Sequence, residues 1–366
     1  MPAINQQNPG RKIPFRAKQG GGFESDYDAP AQPSGDWLFE DTFDAQADWV
    51  APEPSDSTLF SWDGDSLPTG WDALYNSGDS YSANPNLEIA PSILNGSGKA
   101  LRVWREWHPT NTFGSNANIG KLFSVGSDEM YVEFEIAFMD GWTSGDGATA
   151  ASKVFRIFSS TGETSNFWQA FSGGEQGPLF LWDWAVSGNY GLRNGIFFRG
   201  GPHGDNYSMS NSDIGDVGRD ISQGSLGDIS MNWTNDMQGN LAAGGSPQIP
   251  DKLNGGFLPT EGVVTHEQVF GPAGTFTKIA FYVKMNSAPN ASDGIFRQYL
   301  DDQLIVDSET VRWVKTTSDP MPKWNAFALG GNDSWTGGQW TDQDAREEYY
   351  EIRRVAVLNG LPEGLV

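Results

Sequence analysis

The 366-residue chain predicts an all-β fold, a sandwich of two sheets, on three features of its sequence. The segment "MYVEFEIAFMD" alternates strictly, with Val132, Phe134, Ile136 and Phe138 on one face and Tyr131, Glu133, Glu135 and Ala137 on the other. A period of two is the mark of a half-buried strand. "KIAFYVKMN" repeats the pattern, placing Ile279, Phe281, Val283 and Met285 inward and Lys278, Ala280, Tyr282 and Lys284 outward. Clusters of Gly, Pro and Asn punctuate these runs and no long amphipathic helix interrupts them, which implies two packed sheets. No internal repeat is present, so neither a propeller nor a solenoid is expected.

Taken in order, residues 1–35 lack hydrophobic periodicity and are rich in Gln, Gly, Pro and Ala, so they read as an extended N-terminal arm ahead of a sandwich domain at 36–366. Within the arm, Arg11, Lys12, Arg16 and Lys18 are interleaved with Ile13, Phe15 and Phe23, a composition suited to ordering against a neighbouring subunit. From Trp37 onward the candidate strands include "KALRVWREW", "KVFRIFSS", "GPLFLWDWAV", "NGIFFRG", "WNAFALGG" and "YYEIRRVAVL". A Gly-, Asn-, Asp- and Ser-rich insertion at about 200–262 breaks the rhythm, and loops of that length are usually functional or contact-making. "DGIFRQYLDDQLIVDSE" reads as a hairpin turning at Asp301-Asp302. The 15 Trp, 22 Phe and 10 Tyr exceed what such a core needs, so some rings are expected at a contact surface.

Composition narrows the chemistry. There is no cysteine, which removes disulfides, thiolate catalysis and Cys-ligated zinc, and the three histidines leave little for a transition metal. The formal net charge is −24 and the distribution is uneven: the four arm cations all precede the first acid, Glu24, leaving 19 basic residues against 47 acids from Glu24 onward. An acidic body argues against nucleic acid and anionic membrane as partners. The N-terminus has no apolar core of a signal peptide and no run of apolar residues is long enough to span a bilayer, so the expectation is a chain made in the cytoplasm without a signal peptide.

The order "TFTKIAFYVKMNSAPNASDGIFRQYLDDQLIVDSETVRW", "WNAFALGGNDSW", "YYEIRRVAVL" resembles the C-terminal half of the concanavalin A-like jelly rolls, especially the heparin-lyase-like polysaccharide lyases, the sugar-binding modules related to them, and virion proteins of phages with that fold. Asp293-Gly294 match the start of the hairpin, Asp301-Asp302 its turn and Gly330-Gly331 the later glycine pair. Asp302 stands where the family usually has Gly, and a type I′ turn needs positive φ at both central positions, which Asp tolerates less well. The pattern is recognisable over the last 90 residues and looser over the rest of the domain.

The resemblance implies where chemistry would sit. A lyase needs a base for the proton α to a uronate carboxylate and groups that neutralise that carboxylate; "FFRGGPHGDNYSM" offers Arg199, His203 and Tyr207, with Lys153, Arg156 and Lys284 on other strands. Paired acids of a retaining glucanase find only Glu133 and Glu135, whose default is a solvated strand face. No cofactor is required, but jelly rolls of this type often hold a structural calcium, for which Glu40, Asp41, Asp44, Asp342 and Asp344 are the candidate ligands. His108 reads as capping a strand end and His266 as lying on a polar strand edge. Sugar contact, if any, would be aromatic, through the 200–262 loops or Trp182, Trp184 and Trp335.

The arm, the acidic body, the long loops and the surplus rings together lead to the expectation of a structural or adhesive virion-type protein, capsid-decorating or tail-associated, at a virion or extracellular particle surface. It would be a homo-oligomer that meets other assembly subunits through its arm and a cell-surface glycan through its rings. A polysaccharide lyase acting on a uronate-containing glycan, and a free-standing carbohydrate-binding module, are the alternatives from other classes.

Overall fold

The computed structural model describes residues 37–52, 59–61, 67–77, 85–106, 116–142, 151–162, 167–187, 191–215, 222–223, 228–233, 249–334 and 347–365. These form two nine-stranded antiparallel sheets. The first runs β16 (Gln303–Val311), β15 (Gly294–Leu300), β14 (Thr277–Lys284), β8 (Glu129–Phe138), β18 (Glu347–Leu358), β6 (Lys99–Glu106), β5 (Leu87–Pro91), β2 (Trp49–Val50), with β1 (Phe39–Asp41) pairing the later half of β18. The second runs β12 (Ser222–Gln223), β13 (Asp228–Asn232), β11 (Gly191–Arg199), β10 (Leu179–Ser187), β9 (Ala151–Phe158), β17 (Trp324–Ser334), β7 (Asn116–Ser127), β4 (Ala73–Ser77), β3 (Leu59–Ser61). This is the concanavalin A-like jelly roll that the C-terminal pattern implies. Two short helices, α1 (Asn211–Ile214) and α2 (His266–Phe270), interrupt the strands. Among the described residues no helix is long and apolar enough to cross a membrane.

The alternation read from the sequence becomes the inter-sheet core. Val132, Phe134 and Ile136 of β8 and Ile279, Phe281 and Val283 of β14 are fully buried. Phe134 and Phe281 meet Phe155 of β9 at 4.9 and 5.2 Å, and Phe180 of β10 lies 4.9 Å from Phe281, so rings from both sheets interleave. Aromatic pairs of this geometry add about 0.5–1.5 kcal/mol each beyond the area they bury.

Two expectations are corrected by this core. The insertion at 200–262 is not purely a contact loop, since Met209, Ile214, Ile229, Met231, Trp233 and Ile249 are all buried. The rings expected at a surface are not tryptophans among the described residues, where every tryptophan whose side chain is described is buried or half-buried, but Phe171 and Phe257 are exposed. The hairpin turn is also firmer than its sequence suggests. Asp301 and Asp302 both take positive φ, 48° and 64°, as a type I′ turn requires. The strain is offset by ion pairs, Lys252 to Asp301 at 2.9 Å and Lys278 to Asp302 at 2.5 Å, and by the Lys278 amide donating to the Asp301 carboxylate.

Candidate functional site

The outer face of the second sheet gathers polar groups that the core has no use for. On β9, Phe155 and Ile157 enter the core, so Arg156 and Phe158 face outward. Lys153 lies three residues before Arg156 and would face the other way in a regular strand. A bulge opposite Trp182 and Asp183 changes that: Val154 and Phe155 both pack into the core, and Lys153 is returned to the Arg156 face, opposite Asp183. Across β10 the outward position of β11 is Gly195, and a Cβ there would meet the Asp183 carboxylate at 1.9 Å, so only glycine leaves room for that acid to lie on the sheet.

One half of this face is apolar and covered. Leu179, Leu181, Ala326 and Ala328 form its floor, and the connection from β9 to β10 folds over it through Phe167, 5.4 Å from Phe158. That connection is clasped to the loop after β11, the Gly173 amide donating to the Gly204 carbonyl and the Gly204 amide to the Gly174 carbonyl. Trp168 lies over Gly120 of β7, where a Cβ would come within 3.0 Å of its ring.

At the edge of the cover sits Arg156, 7% exposed. Its Nη1 donates to Gln176 Oε1 (3.2 Å) and its Nη2 to Asn118 Oδ1 (2.9 Å), its Nε has no partner, and the Trp168 ring centroid is 5.9 Å away. Among the described residues no carboxylate pairs with it. Burial lowers its pKa to about 10, which leaves it a cation at neutral pH. Tyr75 of β4 flanks the site, its ring 6.2 Å from Trp168 and its hydroxyl accepting from Asn116 Nδ2 at 3.4 Å. A buried guanidinium flanked by two amides is a carboxylate receptor in its donor set. Tyr75 and Lys153 stand on the same face.

The lyase residues expected from "FFRGGPHGDNYSM" do not converge. Arg199 faces outward on β11, its Nη2 donating to the Asn206 carbonyl at 2.6 Å, and His203 Nε2 lies 3.0 Å from Ser159 Oγ. Burial pushes the His203 pKa down and keeps the ring neutral. The Tyr207 hydroxyl is spent on the Arg312 and Trp313 carbonyls, and burial raises its pKa. Lys284 is on β14 of the other sheet. Only Lys153 and Arg156 survive from the cations on neighbouring strands, joined by Tyr75, Asn118, Trp168 and Gln176, which sequence reasoning missed. Nothing in a single sequence shows the bulge that aligns Lys153 with Arg156, or the connection that brings Trp168 and Gln176 to them.

The other expected sites are dispersed as well. Trp182 is fully buried, its Nε1 donating to Asn194 at 2.6 Å, so it cannot stack on a sugar. Trp184 belongs to β10, but its side chain, like the whole of Trp335, His108, Asp342, Asp344 and the arm residues Arg11, Lys12, Ile13, Phe15, Arg16, Lys18 and Phe23, lies outside the described residues. Of the calcium candidates, the three that are described have other partners: Asp41 accepts from the Phe43 amide, Gln46 and Trp71, Asp44 from the Lys99 amide, and Glu40 pairs with Arg354. Among the described residues no three acids or histidines are grouped to hold a metal ion. Glu133 is not solvated but buried, taking the Tyr131 hydroxyl at 2.9 Å and pairing with Arg354, while Glu135 pairs with Arg353. His266 lies in the core rather than on a polar edge, 4.5 Å from Phe138, and burial lowers its pKa to about 3.

No family model matches the chain, and no curated protein matches it. Solved structures similar to it include the alginate lyase Aly36B, at 13% identity over 74% of this chain and 83% of that one, with a TM-score of 0.42. The marine PL-14 alginate lyase from Aplysia kurodai is 12% identical over 74% and 87%, TM-score 0.44. The endo-beta-1,4-glucuronan lyase from the fungus Trichoderma reesei is 14% identical over 79% and 91%, TM-score 0.40. The virion-type reading is corrected here, because these similar structures are polysaccharide lyases, the class that the sequence left as an alternative. A likeness this distant concerns the fold, and the chemistry rests on the residues themselves.

Proposed function

We propose that the outer face of the second sheet binds a uronate-containing polysaccharide and that the chain cleaves it as a lyase, by β-elimination. The observation that carries this reading is Arg156, a buried guanidinium without a carboxylate partner among the described residues, in a chain with 47 acids. Leaving such a charge unpaired in the protein costs several kcal/mol, which an arriving carboxylate would recover.

In that reaction Arg156, with Asn118 and Gln176 orienting it, would neutralise the uronate carboxylate and so acidify the adjacent carbon-bound proton. Tyr75 or Lys153 would take that proton. The electron pair left behind forms the carbon–carbon double bond as the glycosidic carbon–oxygen bond breaks, and the departing oxygen is reprotonated. The test is to incubate the purified chain with alginate, glucuronan and pectin and to follow the ultraviolet absorbance of the unsaturated product. Cleavage reduced about 10²–10³-fold by Arg156→Ala and about 10²–10⁴-fold by loss of the base supports the reading. Binding without cleavage would make the chain a carbohydrate-binding module, and absence of both would sink the proposal.

A further inference from the structure

The same face carries a second guanidinium in the same condition. Arg199, 9% exposed, donates to the Asn206 carbonyl at 2.6 Å and to Ser208 Oγ at 3.4 Å, its Nε has no partner, and among the described residues no carboxylate pairs with it. The connection that lays Trp168 over Arg156 also lays Phe171 over Arg199, with the guanidinium 4.8 Å from the ring centroid. One side of Phe171 rests on the cation and the residue is 53% exposed, so a ring face remains open to solvent. A ring backed by a cation and open on its other side is the platform on which a pyranose stacks.

The spacing is fixed by the sheet. Arg156 stands opposite Leu181 and Arg199 opposite Leu179, on the strands either side of β10. Two interstrand steps and an offset of two residues separate their Cα atoms by roughly 12 Å. That distance matches sugars two or three apart along an extended glycan, not neighbours.

We infer that Arg199 and Phe171 form a second, distal subsite that reads the carboxylate and ring face of a uronate two or three sugars from the one held at Arg156. The inference rests on the lyase reading of this face and makes Arg199 a specificity residue, one that selects chain length and does not take part in bond breaking. Burial lowers the Arg199 pKa.

The test uses a ladder of purified oligouronates from the dimer to the hexamer, with KM and kcat measured for the full chain and for Arg199→Ala, Arg199→Lys and Phe171→Ala. Arg199→Ala should raise KM for the longer oligomers about ten- to a hundredfold while kcat changes far less, with the effect shrinking as the oligomer shortens. Arg199→Lys should recover part of it, and Phe171→Ala, an exposed position where folding is not at risk, should show the same length dependence more weakly. Effects equal at all lengths, or a loss that follows the melting temperature, would make Arg199 a brace for its loop and overturn the inference while leaving the lyase reading intact. A wild-type chain that neither binds nor cleaves any oligomer would overturn both.

Discussion

The two outer faces of this sandwich treat arginine in opposite ways. On the first sheet Arg354 pairs with Glu133 and Glu40, Arg297 with Asp307 and Glu309, Arg353 with Glu135, and Arg102 with Glu88 and Glu351. On the second sheet, among the described residues, Arg156 and Arg199 are met only by amides, carbonyls, a hydroxyl and aromatic rings. Supply cannot explain the difference, since acids outnumber bases two to one. The paired face spends its charges on holding strands together. The unpaired face keeps two cations whose charge the fold does not use, which is the arrangement expected where a ligand is to complete them.

The contrast breaks most visibly under substitution of the buried partners. Glu351 is fully buried and accepts from Arg102 at 2.8 and 3.0 Å, from Ser92 at 2.6 Å and from the Ile93 amide at 2.9 Å. Glu351→Ala should therefore cost about 3–5 kcal/mol, read by denaturant unfolding, because it removes the shared acceptor of Arg102, Ser92 and the Ile93 amide and leaves the buried Arg102 with Glu88 as its remaining carboxylate. Arg156→Met should do the reverse to stability, leaving it unchanged or raising it by about 1 kcal/mol, while lowering cleavage about 10²–10³-fold. If Arg156→Met destabilised the fold as much as Glu351→Ala, Arg156 would be a structural residue and the two faces would not differ in kind.

The sequence and the structure agree where a pattern repeats and part where a single irregularity decides. Alternation over β8 and β14 fixes which side chains enter the core, and the structure follows it residue by residue, because a one-residue slip would expose the whole apolar set. The site has no such redundancy. Lys153 and Arg156 share a face only because of one bulge, and the Arg156 partners come from 38 residues before it and 20 after. "FFRGGPHGDNYSM" looked like a catalytic cluster because its polar groups are close in sequence. In the fold its tyrosine turns to the Arg312 and Trp313 carbonyls and its histidine to Ser159, while Arg199 faces outward with no carboxylate partner among the described residues.

A smaller effect should appear with acid, and on one face only. Burial lowers the His203 pKa, with Glu175 and the Ser159 backbone opposing it. The folded state thus favours the neutral ring, and its contribution is complete above the unfolded value near 6.5 and lost as pH falls through the lower folded value. His203 sits in the loop that clasps the cover through Gly204, so acidification from about pH 7 to 5 should lower the protection of the Gly173 and Gly204 amides against hydrogen exchange, relative to the intrinsic rate at each pH. The turn at Asp301-Asp302 on the other sheet should not respond over that interval. A His203→Gln variant should abolish the change, and equal loss of protection in both regions would mean a global effect with no local cause.

The smallest expected effect concerns the approach of substrate to Arg156 and Arg199 on a chain of net charge −24. A polyuronate is repelled by the body at long range and attracted by Arg156 and Arg199 at short range, and the two differ in how salt reaches them. At low ionic strength the repulsion extends over tens of ångströms, whereas at about 0.15 M it is screened within roughly 8 Å, close to the dimensions of the site itself. Buried pairs are screened much less than exposed charges. Cleavage at limiting substrate should therefore rise a few-fold as salt is added from about 0.01 to 0.15 M, through a faster encounter rate. A neutral glycan offered to the same face should show no such rise. A monotonic fall from the lowest salt upward would indicate that local attraction dominates at all distances.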